Sequence, residues 1–252
     1  MADTQVTIVP YFTVPEGKME EFKAGFAACY AETKAGTKDC LYYGFAVNGN
    51  QVVCREGYRS GEAAAQHLQD VKDSVSKLVG IVGEGGVKMN LMGPAEELAK
   101  AKEAFDAFGT TYWESAPGSL GYPERLPKAC ADTHITIVPY FTVPEGKLEE
   151  FKSGFESFYQ GVANGTTDVL YYGFCCQGNQ VHCREGYKSA EAAIQHVAKD
   201  VAEPLGKAVE LVGEGGVKLA VMGPAAELEK LKPTFDAVGA EYFVLDEGSF
   251  WL

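Results

Sequence analysis

Arg55-Glu56-Gly57-Tyr58-Arg59-Ser60-Gly61-Glu62-Ala63-Ala64-Ala65-Gln66-His67 is the stretch from which the fold is read, because the chain contains it twice. Its second copy, Arg184-Glu185-Gly186-Tyr187-Lys188-Ser189-Ala190-Glu191-Ala192-Ala193-Ile194-Gln195-His196, lies 129 positions further on. Each copy reads as the end of a strand, a turn led by Ser, and a helix that carries one His on its inner side. The flanking sequence repeats as well, so the 252 residues divide into two versions of one unit of roughly 120 residues, each long enough to bury a core. The expected boundaries are 1–115 for the first unit, 116–131 for a linker rich in Pro and Gly, and 132–252 for the second unit.

Hydrophobic residues at 46% and charged residues at 23% describe a globular chain rather than a disordered one. A formal charge of −13 argues against nucleic acid or an anionic membrane surface as a partner. The N-terminus lacks the charged, apolar and small-residue order of a secretory signal, and no apolar run is long enough to span a bilayer. Of the seven cysteines, only Cys54 and Cys183 recur between the units. A disulfide framework would repeat with the fold, so reduced thiols in a cytoplasmic setting are expected.

Along the chain, Gln5–Phe12 reads as a strand apolar on both faces, with Pro10 (repeated as Pro139) forcing a bulge or a strand end. Met19, Phe22, Phe26 and Cys29/Tyr30 recur at helical spacing as one buried stripe. Asn48-Gly49-Asn50 turns a hairpin between Leu41–Val47 and Gln51–Tyr58. Ser60 caps a second helix that runs to Gly83, and a fourth strand follows over 86–92. A third helix, with Leu98, Ala101, Phe105 and Phe108 inward, and a fifth strand over 110–114 complete the unit. In the second unit Pro204 should interrupt the second helix and Pro233 should end or kink the third.

The order βαββαβ gives an α+β, ferredoxin-like unit whose four-stranded antiparallel sheet has helices on one face and a bare apolar face on the other. Two such sheets facing each other would close a barrel within one polypeptide, with the fifth strand reaching across as an arm. Val-Pro-Glu-Gly-Lys-x-Glu-Glu-Phe in the first helix region, and Glu-x-Tyr-x-Ser-x-Glu-Ala-x-x-x-His across strand three and helix two, resemble the antibiotic biosynthesis monooxygenase (ABM) domain of the dimeric α+β barrel superfamily. The resemblance covers nearly all of each unit except the linker and the extra helix and strand. It implies a ligand cavity between helices and sheet and an oxidation that needs no cofactor.

His67 and His196 are the first candidates for catalysis, although a lone His on an apolar helix face is commonly a hydrogen-bonded core residue. Glu56/Glu185 and Arg55/Arg184 are neighbours on a strand covered on both sides, so they face opposite ways and each charge requires a partner. In the bland reading a Glu–His or Glu–Arg bond locks strand to helix. In the sharp reading Glu56 orients His67, which removes a proton from a phenolic substrate, and Arg55/Arg184 or a Tyr supplies the oxyanion donor. Tyr11, Tyr42, Tyr43 and Tyr58, with Tyr140, Tyr171, Tyr172 and Tyr187, would line the pocket. Cys54, Glu56 and His67 make too weak a ligand set to imply a metal, and Gly83-Glu-Gly-Gly86 follows a helix, the reverse of a phosphate loop.

Three functional classes follow from this reading. One is a cofactor-independent monooxygenase for small quinol- or anthrone-like aromatics. The second is a non-catalytic barrel that binds a small apolar or aromatic ligand or serves in stress response. The third is an assembly protein that pairs as a homo-oligomer through its tail strands. Trp113 and Trp251 lie in those tails, away from the pocket position that the resemblance gives to some active members.

Overall fold

The computed structural model describes residues 3–122, 125–126, 130–165 and 168–251. They form two compact units. The first comprises Thr4–Glu114, Leu126–Asp132 and Phe243–Leu252; the second comprises Met1–Asp3, Ser115–Arg125 and Thr133–Tyr242. Each unit therefore combines one repeat with short segments that lie elsewhere in the sequence.

In the first unit the elements are β1 (Val6–Thr13), α1 (Met19–Ala24), α2 (Phe26–Gly36), β2 (Cys40–Asn48), β3 (Gln51–Tyr58), α3 (Gly61–Asp70), α4 (Lys72–Val82), β4 (Val87–Gly93), α5 (Ala95–Phe105) and β5 (Thr111–Ser115). The antiparallel order is β4-β1-β3-β2, with β5 parallel to β4. The outer side of β2 is paired by the chain's C-terminal segment. There β12 (Phe250–Trp251) bonds to Tyr43 and Tyr42, and Val244–Leu245 bond to Val47 and Ala46.

The second unit opens with β6 (Leu120–Gly121), β7 (Ile135–Thr142), α6 (Leu148–Ser153), α7 (Phe155–Asn164), β8 (Val169–Gln177) and β9 (Gln180–Tyr187). It continues with α8 (Ala190–Gln195), a π-helical turn over His196–Asp200, α9 (Ala202–Val212), β10 (Val217–Gly223) and α10 (Ala225–Phe235), and β11 (Glu241–Leu245) follows. Its sheet runs β10-β7-β9-β8, and β6 lies on the outer side of β8 through Leu120–Tyr172 and Gly121–Tyr171. The segment expected as a plain linker thus supplies a strand.

Several local expectations are corrected. Pro10 makes no bulge: β1 runs through it in one register against both neighbours, and the only mark is a gap in the β3 ladder at Val9 and Pro10. A proline deletes one donor, which a strand held on both sides absorbs. The bulge lies instead in β2 between Cys40 and Tyr42, and in β8 between Val169 and Tyr171. The first helix is two helices broken at Gly25, and the second breaks at Val71. Phe108 is 38% exposed, because the chain tightens into a 3₁₀ turn over Asp106–Phe108 that ends at Gly109. Pro204 is the third residue of α9, where the missing N–H has no intrahelical partner to lose, so α9 keeps its 11 residues. Pro233 sits in the last turn of α10, which also keeps 11 residues, since only one terminal bond is forfeited.

The helix-side core of the first unit gathers Phe22, Phe26, Phe45, Cys54, Leu78, Leu91 and Phe105 around the even-numbered residues of β3. Seven of the eight residues of β3 are buried, so alternation places Val53, Arg55 and Gly57 on a second covered face. Gly57 is fixed there by a close approach: a Cβ would lie 2.5 Å from the Tyr42 ring. Gly57→Ala is expected to destabilise the protein by about 1–3 kcal/mol, read as a lower denaturant midpoint; an unchanged midpoint would refute this packing.

Candidate active site

The bulge in β2 decides which tyrosine meets the histidine. By shifting parity after Cys40 it turns Tyr43 to the helix side and Tyr42 to the opposite face. Ser60 caps α3 by accepting from the Ala63 N–H, and a helix started there brings His67 inward to the strand's Glu56. His67 Nε2 lies 3.1 Å from Glu56 Oε2, and the Tyr58 hydroxyl donates to the same oxygen at 2.5 Å. The rings of Tyr43 and Tyr58 each stand 5.1 Å from the imidazole. His67 is only 2% exposed and Glu56 only 4%.

Behind the imidazole is a pair that the sequence reading missed. Thr37 Oγ1 lies 3.2 Å from His67 Nδ1 and donates to Asp70 Oδ2 at 2.9 Å. Because that hydroxyl spends its proton on Asp70, its oxygen accepts from Nδ1–H. Nε2, on the other side of the ring, faces Glu56. Asp70 is half-buried and is held by Gln66 Nε2 at 2.9 Å, so a hydrogen-bonded row runs from near the surface to a buried carboxyl. The pattern Ser60…His67…Asp70 on one helix, with Thr37 before β2, was the available signal.

Arg55 points the other way. Its guanidinium meets Asp132 Oδ2 at 2.9 Å, both side chains essentially inaccessible. Arg184 is paired in the same manner with Asp3. The structure therefore does not bring Arg55 or Arg184 to the Glu–His couple. The partners were legible, because Ala2-Asp3-Thr4 recurs as Ala131-Asp132-Thr133. Tyr42 bonds Gln5 at 3.2 Å and packs on Trp251 at 5.3 Å. Tyr11 faces Phe243 at 6.4 Å. In the second unit Tyr171 bonds Thr136 and His134, and Tyr140 stands 5.4 Å from His182. Of the eight tyrosines, only Tyr43, Tyr58, Tyr172 and Tyr187 attend a candidate His.

The second couple has the same neighbours and a different state. Tyr172 and Tyr187 lie 5.1 and 5.2 Å from His196, and the Tyr187 hydroxyl bonds Glu185. His196 Nε2, however, is 3.6 Å from Glu185 Oε2, beyond hydrogen-bond reach. Burial raises the Glu185 carboxyl to about 8 despite bonds from Tyr187 and Cys183, and burial lowers His196 to about 4 against the opposing charge of Asp200. Near neutral pH both groups are uncharged, which removes the attraction that would close the gap. The geometric cause is one extra residue: Gly213 follows His196 by 17 positions where Gly83 follows His67 by 16, and the surplus is taken up as the π-helical turn over His196–Asp200. Cys54 and Cys183 are buried with thiols pushed well up by that burial. Among the described residues no group of three or more His, Cys, Asp or Glu is placed to hold a metal ion, and no helix is long and apolar enough to cross a membrane.

No family model and no curated protein matches the sequence. Among solved structures, MupZ from Pseudomonas fluorescens is 32% identical over 46% of this chain and 92% of its own, with a TM-score of 0.42. A monooxygenase candidate from Fusobacterium nucleatum subsp. nucleatum matches 87% of this chain and 91% of its own at 13% identity and a TM-score of 0.61. Another from Lactobacillus acidophilus NCFM matches 86% of this chain and 91% of its own at 15% identity and a TM-score of 0.54. What this chain shares with the last two structures is the fold. Its fold class is the α+β one read from the repeat, two ferredoxin-like units in tandem.

The pH response of the second couple has a definite sign. Glu185, with a folded value above its unfolded one, favours the folded state fully below about pH 4.5, and that contribution is lost as pH rises toward 8. His196, with a folded value below its unfolded one, costs stability as pH falls from 6.5 toward 4. Glu185→Gln should therefore gain stability relative to the parent between pH 5 and 8 in urea titrations; a pH-independent difference would contradict the buried neutral carboxyl.

Proposed function

We propose that this ABM-like protein is a cofactor-independent monooxygenase for a small phenolic, quinol- or anthrone-type aromatic, with the Glu56–His67 couple of the first unit as its base. The observation that carries the reading is the hydrogen-bonded row Asp70–Thr37–His67–Glu56, which fixes the imidazole and turns Nε2 toward the buried carboxyl. A base held in this way raises the fraction of substrate carbanion, and the carbanion itself supplies the electrons to O₂. For an anthrone the balance is R₂CH₂ + O₂ → R₂C=O + H₂O. The proton leaves to His67, the carbon takes up oxygen as a hydroperoxide, and loss of water breaks the O–O bond and leaves the carbonyl. Tyr43, whose hydroxyl burial keeps protonated, is the available donor to a developing oxyanion, since Tyr58 already donates to Glu56. The role first considered for Arg55 passes to Tyr43, because Arg55 lies on the other face of β3.

Similarity in fold to monooxygenase candidates supports this reading at low sequence identity. A second reading, a barrel that binds a small ligand without turnover, is favoured by the two tyrosine rings that cover His67 and its near-complete burial. The two readings separate on oxygen consumption. Anthrone or hydroquinone supplied aerobically should be oxidised with O₂ uptake, His67→Ala should lower kcat/KM by about 10²–10⁴-fold, and Glu56→Gln by about 10–100-fold. His196→Ala should stay within about twofold of the parent. Absence of uptake, or equal rates in parent and His67→Ala, would establish the binding reading instead.

A further inference from the structure

The two repeats differ most in their helical layers. In the first unit Glu32 on α2 bonds Ser74 on α4 at 2.8 Å, and Leu78 packs down on Gly25, where a Cβ would lie 2.6 Å from it. These contacts close the helices over each other, and the cleft remaining beside Lys18 and Leu78 has a volume of about 580 Å³. In the second unit the positions of Glu32, Ser74 and Leu78 are occupied by Gly161, Pro204 and Ala208. Both bridging side chains and the covering leucine are gone. The corresponding cleft, between α7 and α9, measures about 1020 Å³ and is lined by Gly161, Pro204 and Ala208 themselves.

The extra residue of the π-helical turn belongs to the same change. It brings the Asp200 carbonyl so close to α7 that a Cβ at position 161 has no room, so the insertion and Gly161 require each other. The turn also puts Lys199 and Asp200 on the cleft wall. Residues that differ in four places therefore open one volume.

We propose that this cleft is a binding site, present only in the second unit, for a small anionic aromatic molecule. Phe151, Phe158, Ala208 and Leu211 give it an apolar floor on which a flat ring system can be desolvated. Two of its three lysines are already neutralised, Lys147 by Glu150 and Lys207 by Glu203, each at 2.7 Å. Lys199, exposed and without an ion pair among the described residues, is the cation left for a ligand. Of the four carboxylates that line the cleft, Glu150 and Glu203 are the ones paired with those lysines, Asp200 is turned against Gly165, and Glu210 lies toward the far end of α9. The proposal is independent of the reaction at His67.

The test is a fluorescence titration of the full chain with 8-anilinonaphthalene-1-sulfonate and with its uncharged relative N-phenyl-1-naphthylamine. The parent should show one saturable site for the sulfonate. Ala208→Leu, which restores the leucine of the first unit, should weaken both probes by about tenfold or more. Lys199→Ala should weaken the sulfonate by about three- to tenfold and leave the naphthylamine unchanged. Thermal melts check that the variants fold, and Ala208→Val replaces Ala208→Leu should the larger side chain prevent folding. Absence of saturable binding, or affinity for the sulfonate untouched by a folded Ala208 variant, would overturn the site. An equal loss of both probes in Lys199→Ala would overturn its preference for an anion.

Discussion

Two opposite charges side by side on a strand with both faces covered form the constraint on which this structure depends. Arg55 and Glu56 cannot share a partner, because alternation sends them to opposite sides of β3. Neither can remain alone, since an uncompensated buried charge costs several kcal/mol. Glu56 is answered by His67 and Tyr58, which ties α3 to the sheet. Arg55 is answered by Asp132, which fastens the segment before the second repeat to the first unit. In the repeat Arg184 is answered by Asp3 in the same way, whereas Glu185 is held by Tyr187 and buried uncharged. A single dipeptide thus organises both layers of each unit.

From this common frame the two units have diverged through very little sequence. One residue inserted after His196 makes a π-helical turn, lengthens the Glu–His separation from 3.1 to 3.6 Å and brings Asp200 against α7. Both groups of the second couple are then buried uncharged. In the first unit the row through Thr37 to Asp70 holds the imidazole in place. The corresponding change in the helical layer opens space where the first unit has a glutamate, a serine and a leucine. Divergence of this kind gives one unit a closed Glu–His couple and the other a wider cleft between its helices.

Much of the fold was legible because periodicity and repetition act at the same positions. The strand–turn–helix around Ser60 and the two buried faces of β1 and β3 all follow from residue type and spacing. Pro10, Pro204 and Pro233 misled local reading, since tertiary pairing and helix-end positions removed the cost that a proline carries in isolation. The site was half legible. Alternation predicted that Glu56 and Arg55 would part, and helical spacing put His67 inward, yet nothing local fixes the β2 bulge that selects Tyr43 over Tyr42. Asp132 and Asp3 escaped notice as partners although Ala-Asp-Thr recurs with the repeat, because an aspartate beside a presumed linker looks solvated until a buried arginine is seen to need it.

The most direct test of this account is a double-mutant cycle on Arg55 and Asp132, measured as unfolding free energy in urea. Arg55→Met and Asp132→Leu should each destabilise by about 3–5 kcal/mol, because each strands the other charge in the interior. The combined variant should be more stable than either single one, as both charges are then gone. Additive losses, with the combined variant least stable of all, would contradict the claim that mutual neutralisation of buried charge holds this fold together.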